Sequence, residues 1–406
     1  MSSPSTDSKP SPKPVWPRFR TTTSAADITN SCKRPRGTRW CGMSPTPEHS
    51  AVRDSDTRRL NNFAELAANE LPYPPPASIR AAITDHVRLN RYPDPASADL
   101  TAALATHLRT APQHIMLGAG SSSILQRLTR AVCSHSDDTV LWTTPAFAAF
   151  DVFARQAGIG VQRVPHTGGE ILNLDAMLKA VTRSTRLIIL VNPHNPTGAI
   201  AHGEQLDAFL GQIDDNVTVV LDEAYMEFVA DPRYADGANV AKSRWAAGHE
   251  NIVVVRTFSK AYGLAGARIG YGLAPSALAR TVNDAAVPRE LTADAQVGAL
   301  AALADQVAMR ENVARINDER ARVLTTLRRF GYGPANSHGN YLWLPLADDS
   351  HRFAIHCHSM GIKVLDIADH GVRVTIGSAA DNDVFLRAAH TWAIGSSTAA
   401  PPPTSQ

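Results

Sequence analysis

The chain has 406 residues, of which 44% are hydrophobic, and its formal net charge is +2. This length predicts a large core in two domains of one polypeptide, and the near-neutral charge gives no reason to expect a nucleic-acid partner. No apolar run reaches the roughly twenty residues that a membrane span requires, so a soluble, cytoplasmic protein is predicted, without a membrane partner. The four cysteines lack the spacing of a zinc site or a disulfide framework, which suits a reducing compartment.

The two ends of the chain differ in composition from the rest. Residues 1–50 combine many Pro, Ser and Thr residues with basic side chains, and they show no apolar periodicity. Such a segment cannot bury enough surface to offset its ordering entropy, so we expect a disordered extension, a transit peptide, or a true translation start at Met43. The Ser-, Ala- and Pro-rich tail over residues 395–406 is also expected to be disordered.

Between these ends, apolar strands alternate with helical patterns such as 175–181, 205–213 and 293–305. This order is typical of an α/β fold with a mainly parallel central sheet flanked by helices. The predicted units are an N-terminal arm with part of a small domain over 51–96, a large domain over 97–301, and the rest of a small α+β domain over 302–394. Ligands of such sheets bind at the carboxyl ends of the strands.

The first candidate binding segment in chain order is rich in glycine. Gly118–Ser123 leads into a helical pattern that begins at Ile124, and backbone amides and hydroxyls at a helix start can hold a phosphate. Alone, this signal is weak. Phe147 follows the strand 140–142 and offers an aromatic face for stacking on a planar ring, although core packing is the more common role of a phenylalanine.

The next two strands also end in polar groups. The strand 187–191 runs into Asn192–Gly198, where two prolines and a glycine can hold the Asn195 amide against a ring hydroxyl, although a plain β-turn is the alternative. The following strand ends in Asp222, with Tyr225 three residues on. A carboxylate facing a pyridine nitrogen keeps that nitrogen protonated, and a phenol can bond the ring oxygen. A helix N-cap is the alternative for Asp222.

Lys260 lies just past the apolar strand 252–255. A lysine amine becomes a covalent catalyst when its position and pKa are controlled, and pyridoxal phosphate (PLP) chemistry needs such a group. The hydroxyls of Thr257 and Ser259 and the guanidinium of Arg268 suit a phosphate ester. Taken singly, Lys260 would be interpreted as an ordinary surface lysine. Together with the other segments, it predicts a PLP site.

In this order, the segments resemble the class I/II, fold type I aminotransferases, most closely the branch of histidinol-phosphate and aromatic amino acid aminotransferases, over about residues 69–392. The resemblance implies that Lys260 forms a Schiff base with PLP and then shuttles a proton. It also implies that Asp222 pairs with the pyridine nitrogen, while Tyr225 and Asn195 bond the ring oxygen. The further cofactor-binding residues that it implies are Gly120, Ser121, Ser122, Phe147, Thr257, Ser259 and Arg268.

The resemblance also implies a substrate class and a partner. Tyr92 matches the tyrosine that this branch sends across a homodimer interface to the neighbour's phosphate. Arg373 matches the arginine that binds the substrate α-carboxylate, and Asn195 and Tyr73 are the other expected substrate-binding residues. The implied reaction moves an amino group between an amino acid, or a histidinol-phosphate-like amine, and a 2-oxo acid.

The sequence departs from the family pattern at several positions. Ser122 and Ser123 stand where acidic residues are usual, and Leu365 stands where the family commonly has a second arginine that helps to bind histidinol phosphate. The segments 287–291 and 69–73 also differ. Because the departures concern substrate contacts more than cofactor contacts, we expect an altered amino donor or keto acceptor.

Other classes of function stay open at this point. A PLP-dependent decarboxylase or lyase of the same fold, acting on an amino acid or its phosphate ester, would share every cofactor contact. A non-catalytic binding module would be expected to lose Lys260 or Asp222, and both are present. No metal site is predicted, because the two histidines of His356–His358 would not face each other on a helix.

Overall fold

The computed structural model describes residues 63–166 and 169–398 of the chain. The expected extension over residues 1–50 lies outside the described residues, as does the part of the expected tail beyond residue 398. Within the described ranges, none of the helices has both the length and the hydropathy needed to cross a bilayer. In the same ranges, no group of three or more His, Cys, Asp or Glu side chains is placed to hold a metal ion.

The described residues form strands and helices in alternation, as the sequence predicts. The strands are β1 Ala64–Leu66, β2 Ile115–Gly118, β3 Thr139–Thr144, β4 Gly160–Pro165, β5 Thr185–Val191, β6 Thr218–Asp222, β7 Ile252–Thr257, β8 Gly270–Leu273, β9 Tyr341–Leu344, β10 Ile362–Ile367 and β11 Gly371–Thr375. The helices are α1 Ala77–His86, α2 Ala98–Leu108, α3 Ser121–Val132, α4 Ala149–Ala157, α5 Leu174–Ala180, α6 Gly203–Leu210, α7 Gly237–Ala246, α8 Ser276–Asp284, α9 Ala293–Ala304, α10 Gln306–Arg329, α11 Ser350–Ser359 and α12 Ala379–Thr398.

The larger sheet has the strand order β2-β8-β7-β6-β5-β3-β4. The strands from β7 to β4 pair in parallel, whereas β8 runs antiparallel to both β7 and β2. The chain leaves β3 outward to β4 and returns to β5 on the other side of β3. The carboxyl ends of β3 and β5 therefore flank a point where the strand order reverses, which is where open α/β sheets bind ligands.

Both faces of the larger sheet are covered by apolar side chains. In β7, Ile252 and Val254 belong to one buried cluster, and Val253 and Val255 belong to another. Successive side chains of a strand point to opposite faces, so a strand that is buried on both faces needs an unbroken apolar run. This requirement explains why residues 252–255 are uniformly apolar, and the polar side chains Arg256 and Thr257 follow at the end of β7.

The second sheet joins the start of the described chain to its last third. Its order is β1-β10-β11-β9, in which β1 is parallel to β10 and the other pairs are antiparallel. Leu365 of β10 lies directly opposite Arg373 of β11, so their side chains share one face of the sheet. The predicted α/β architecture, a mainly parallel central sheet flanked by helices with a second, smaller sheet, is thus confirmed, while the boundaries at about residues 97 and 302 stay a prediction.

Candidate active site

A cavity of about 230 Å³ lies where β3, β5, β6 and β7 end. The predicted site residues that line it are Ser122, Phe147, Asn195, Asp222, Tyr225, Thr257, Ser259, Lys260 and Arg268. A larger cavity of about 470 Å³ lies between residues 94–97 and 286–291, and it contains none of the predicted site residues. The smaller cavity is therefore the candidate active site, since it combines an amine, a carboxylate, hydroxyls and a guanidinium.

Lys260 follows β7, and its amine is held by a backbone group. Nζ donates a hydrogen bond of 3.0 Å to the carbonyl oxygen of Ala68. Burial lowers the pKa of Lys260 to about 8; the positive charges of Arg373 and Arg268 act in the same direction, against the carboxylate of Glu70. Near neutral pH a fraction of such an amine is unprotonated, which a nucleophile requires.

Asp222 is the last residue of β6, and its side chain is buried. Its Oδ1 accepts a hydrogen bond of 3.3 Å from the backbone N–H of Ala224. Burial raises the pKa of Asp222 to about 7, and the neighbouring Glu223 carboxylate adds to this effect. Among the described residues, no basic side chain forms an ion pair with Asp222. A cation inside the cavity would therefore stabilise the ionised carboxylate.

Tyr225 and Asn195 bring a phenol and an amide to the same cavity. The Tyr225 ring packs edge-on against Tyr341, with 5.0 Å between the ring centres, and its Oη accepts a hydrogen bond of 3.0 Å from Asn69 Nδ2. Asn195 Oδ1 accepts a hydrogen bond of 2.6 Å from Arg373 Nη1. Both side chains are thus fixed by neighbours rather than free to rotate.

Arg373 does not itself line the cavity, but it is bonded to Asn195, which does. Its Nη2 donates to the carbonyl oxygen of Ala67, and its buried Nε has no hydrogen-bond partner among the described residues. The guanidinium also stacks on the Tyr341 ring at 5.6 Å from the ring centre. A carboxylate that reached Arg373 would offer it charged acceptors in place of neutral ones.

The start of α3 approaches β8 and Arg268 closely. Gly120 precedes the helix with φ of 77°, and no side chain caps the amides of the first turn, which includes Ser121 and Ser122. A Cβ at residue 120 would lie 2.5 Å from Arg268 Nη2, and a Cβ at Gly270 would overlap the backbone of Ser121. Glycine at both positions lets the helix start, the strand and the guanidinium come together.

Hydroxyl groups complete this end of the cavity. Arg268 Nη1 donates a hydrogen bond of 3.4 Å to Ser259 Oγ, and Thr257 Oγ1 accepts a hydrogen bond of 3.0 Å from the Ser259 backbone N–H. Open helix amides, hydroxyls and a guanidinium are the groups that bind a phosphate ester.

Three predicted aromatic residues occupy different places. Phe147 lines the cavity and remains 41% exposed. Tyr92 is 85% exposed, and the Arg289 guanidinium carbon lies 5.0 Å from its ring centre. Tyr73 lies outside the cavity, in a cleft where the guanidinium carbon of Arg315 is 4.3 Å from the centre of its ring. The structure therefore brings Phe147, but neither Tyr92 nor Tyr73, to the cavity of this chain.

The family model "Aminotransferase class I and II" matches residues 61–388. The chain belongs to the class I and II aminotransferases. Aromatic amino acid aminotransferases from Streptomyces avermitilis and Thermobifida fusca are 37% and 40% identical to this aminotransferase; the matches cover 80% and 81% of this chain and 89% and 90% of those proteins. The histidinol-phosphate aminotransferase from Sinorhizobium meliloti, solved in complex with PLP, has a TM-score of 0.74 at 28% identity and covers 82% of this chain and 91% of its own. The expected family, fold and transaminase activity are confirmed, and the alternative of a decarboxylase or lyase is not favoured.

The cofactor of this aminotransferase is PLP, and the cavity suits it. Asp222 is a buried carboxylate without a basic partner among the described residues, and a protonated pyridine nitrogen is such a partner. Arg268, Ser259 and the open amides at the start of α3 suit the phosphate. The Lys260 amine lines the same cavity. Each of the three charged or reactive parts of the cofactor thus has a chemically matched group.

The sequence analysis missed a buried ion pair in this aminotransferase. Arg256 Nη2 lies 2.7 Å from Glu223 Oε2 and 3.0 Å from Asp236 Oδ2. Because Glu223 follows Asp222 and Arg256 lies four residues before Lys260, the pair links the strand ends that carry the site. Opposite charges at the ends of two apolar runs, Glu223 directly after β6 and Arg256 near the end of β7, were a signal for it, since buried charges are normally paired.

The sequence analysis also missed a run of three residues. The carbonyl oxygens of Ala67 and Ala68 and the side chain of Asn69 bond Arg373, Lys260 and Tyr225, respectively. Every residue has a backbone carbonyl group, so contacts made by the carbonyl oxygens of Ala67 and Ala68 could not be predicted from residue type. Only Asn69 offered a sequence signal, and it lies in the segment 69–73 that departs from the family pattern.

Proposed function

We propose that this aminotransferase uses Lys260, Asp222 and Tyr225 as its catalytic residues, takes an aromatic amino acid as donor and passes the amino group to a 2-oxo acid. The observation that carries the proposal is the convergence of the Lys260 amine and the Asp222 carboxylate on one cavity. The same cavity brings hydroxyls and a guanidinium to one end and an arginine-bonded amide to another. These are the groups that an amino acid substrate and a phosphorylated cofactor need.

PLP, when bound, supplies the aldehyde that takes up the amino group and the ring that withdraws electrons from the substrate α-carbon. We assign its ring nitrogen to Asp222, its ring oxygen to Tyr225 and Asn195, and its ring face to Phe147. We assign its phosphate to Gly120, Ser121, Ser122, Thr257, Ser259 and Arg268. The direction of the Asp222 pKa supports the first assignment, because a buried carboxyl group with a pKa of about 7 is fully ionised at neutral pH only when a cation faces it.

Lys260 is proposed to move the proton. Its pKa of about 8 allows the free Nζ to be unprotonated near neutral pH and to accept the proton of the substrate α-carbon. The resulting ammonium keeps an acceptor, because the carbonyl oxygen of Ala68 lies 3.0 Å from Nζ.

The substrate side of the site supports an aromatic donor. We propose that Arg373 and Asn195 bind the α-carboxylate, with the free Nε of Arg373 as an additional donor. Leu365 lies opposite Arg373 on the same face of the sheet, so the neighbouring surface is apolar rather than cationic. An apolar surface favours an aromatic side chain over a phosphate ester. The names of the relatives from Streptomyces avermitilis and Thermobifida fusca point in the same direction.

A homodimer is part of the proposal. Leu89, Tyr92 and Val287 are apolar or aromatic side chains with exposures of 95%, 85% and 70%. Large exposed apolar groups of this kind are typical of interfaces. We propose that Tyr92 extends from this surface to the phosphate in the second copy of the chain.

A donor panel and a chemical label test the proposal. Holoenzyme mixed with single amino acids should lose its visible cofactor absorbance fastest with aromatic donors, and far more slowly with histidinol phosphate. Borohydride reduction followed by peptide mapping should leave the cofactor on Lys260. A label on another lysine would contradict the catalytic assignment, and a preference for histidinol phosphate would contradict the donor assignment.

A further inference from the structure

Residues 67–69 make consecutive contacts with three different site residues. The carbonyl oxygen of Ala67 accepts from Arg373, and the carbonyl oxygen of Ala68 accepts from Lys260 Nζ at 3.0 Å. Asn69 Nδ2 then donates to Tyr225 Oη at 3.0 Å. One short segment therefore contacts the proposed carboxylate-binding arginine, the proposed proton carrier and the proposed donor to the cofactor ring.

Asn69 anchors this segment. Its side chain is fully buried, and its backbone has φ of 54°, a left-handed conformation that asparagine adopts more readily than most residues. Its backbone N–H donates to Thr375 Oγ1 at 2.9 Å, and its carbonyl oxygen accepts from Asn340 Nδ2 at 3.1 Å. Thr375, the last residue of β11, and Asn340, the residue before β9, thus fix Asn69 from both sides.

The hydrogen bonds also define the orientation of the Asn69 amide. Thr375 Oγ1 accepts from the Asn69 N–H, and its hydroxyl donates to Asn69 Oδ1 at 2.9 Å. The amide oxygen is therefore on the Thr375 side, and Nδ2 faces Tyr225 as a donor. Because Tyr225 Oη accepts this bond, its own hydrogen remains available for a group in the cavity.

The charged groups that face the phenol come from three elements. Asp222 belongs to β6, Arg373 belongs to β11, and Lys260 Nζ lies 5.8 Å from the centre of the Tyr225 ring. The Arg373 charge lowers the pKa of Tyr225 and the Asp222 charge raises it, while burial raises it more than either. Among the groups that face Tyr225, Asn69 is the neutral donor bonded to its oxygen.

We propose that Asn69 is a positioning residue, which directs the Tyr225 hydroxyl toward the cofactor ring and holds the Ala68 carbonyl where it accepts from the Lys260 ammonium. The inference rests on the roles proposed above for Tyr225 and Lys260. It adds a requirement that lies outside the cavity, because Asn69 acts through its neighbours.

The Asn69→Gly variant tests the proposal in the holoenzyme. Glycine tolerates the left-handed backbone, so the substitution removes the side chain without forcing strain at φ of 54°. A phenol that no longer accepts from Asn69 is a weaker donor, which leaves the cofactor ring oxygen more basic. We expect the pH midpoint of the visible absorbance band to move upward by about half a pH unit or more, as the loss of one hydrogen bond implies. We also expect kcat to fall more than KM changes.

A second buried asparagine provides the matched control. Asn251 is buried, and its Nδ2 donates to the carbonyl oxygens of Val217 and Asp214 at 3.1 and 3.3 Å, at the far end of β7 from the cavity. Asn251→Ala should lower the Tm while leaving the absorbance midpoint in place. A purely structural role for Asn69 predicts the same pattern for Asn69→Gly, and that result would overturn the proposal.

A double-mutant cycle tests whether Asn69 affects the absorbance midpoint through Tyr225. In a Tyr225→Phe background, Asn69→Gly should produce little further shift of the midpoint, because the phenol oxygen is already absent. A shift of the same size in both backgrounds would overturn the route through Tyr225. Wild-type protein that develops no visible band with PLP would overturn the proposed site and this inference together. A normal band whose midpoint Asn69→Gly leaves unchanged would overturn the inference alone.

Discussion

The proposed cofactor side and the proposed substrate side of the cavity are built in different ways. On the cofactor side, Ser259, Arg268 and the start of α3 belong to one sheet and its connections, and they contact one another directly. On the substrate side, Arg373 comes from the second sheet and is bonded to Asn195 and to the carbonyl oxygen of Ala67. In the proposed site, the larger sheet and its connections therefore carry the groups that bind and activate the cofactor, while selectivity depends on how distant segments meet that sheet.

The strongest way to break the cofactor side is to remove its amine. Lys260→Ala should lower kcat by about 10⁴-fold or more, because both the nucleophile and the proton carrier are lost. Single-turnover and steady-state assays measure this effect. The control is Lys179→Ala on the exposed face of α5, which should keep the wild-type rate. A Lys260→Ala enzyme within tenfold of wild type would contradict the assignment.

Removing the carboxylate tests the same side through charge. Asp222→Asn should lower kcat by about 10²-fold or more, since an amide cannot stabilise a protonated ring nitrogen. Steady-state assays with saturating PLP measure it, because saturation separates the rate from weaker cofactor binding. An unchanged kcat would show that another group faces the ring nitrogen.

Although Asp222→Asn should lower kcat, it should stabilise the folded apoenzyme against unfolding at neutral pH. Burial raises the pKa of Asp222 from 3.8 to about 7 in the folded chain, so the folded protein keeps a proton that the unfolded chain releases. The contribution of the protonated Asp222 side chain to the free energy of unfolding is fully present below pH 3.8, and it is lost as the pH rises to about 7. Between pH 5 and pH 8, the advantage of Asp222→Asn over wild type should grow by about 3 kcal/mol. Urea unfolding at both pH values measures it, and a constant difference would contradict the raised pKa.

The role of the substrate side is tested by changing the geometry of the Arg373 cation. Arg373→Lys keeps the charge but removes the planar fork, so KM for donor and acceptor should rise by about 10-fold to 100-fold. The dissociation constant of PLP should stay near the wild-type value, and Arg130→Lys on the exposed face of α3 serves as the control. A parallel loss of PLP affinity would show that the two sides of the cavity are not separable.

The smallest expected effect concerns selectivity. Leu365→Arg places a cation opposite Arg373, so the ratio of kcat/KM for histidinol phosphate to that for an aromatic donor should rise by about tenfold. Leu365→Met keeps an apolar side chain and should leave this ratio unchanged. If both variants change the ratio equally, residue 365 acts through packing rather than charge.

The cofactor side was largely predictable from the sequence. Lys260, Asp222 and Asn195 each follow an apolar run long enough to be a buried strand, and parallel strands bring their carboxyl ends to one edge of a sheet. The predicted helices 175–181, 205–213 and 293–305 correspond to α5, α6 and α9. The local sequence pattern was sufficient to predict these positions, because each of the three residues is placed by the single strand that precedes it.

The remaining contacts depend on long-range packing that a local pattern does not encode. The bond from Lys260 to Ala68 spans 192 residues, and the bond from Arg373 to Ala67 spans 306. Tyr73, which the sequence analysis expected near the substrate, packs instead against Arg315 of α10. Its position depends on how the chain turns after Asn69, and no periodicity near residue 73 specifies that turn.

The placement of β1 has a consequence for biosynthesis. This strand is made early, yet it pairs with β10, which leaves the ribosome about three hundred residues later. Until β10 has been translated, β1 cannot form the strand pairing that leads into residues 67–69. The support that residues 67–69 give to Lys260 and Tyr225 is therefore expected to be complete only after the second sheet has been translated.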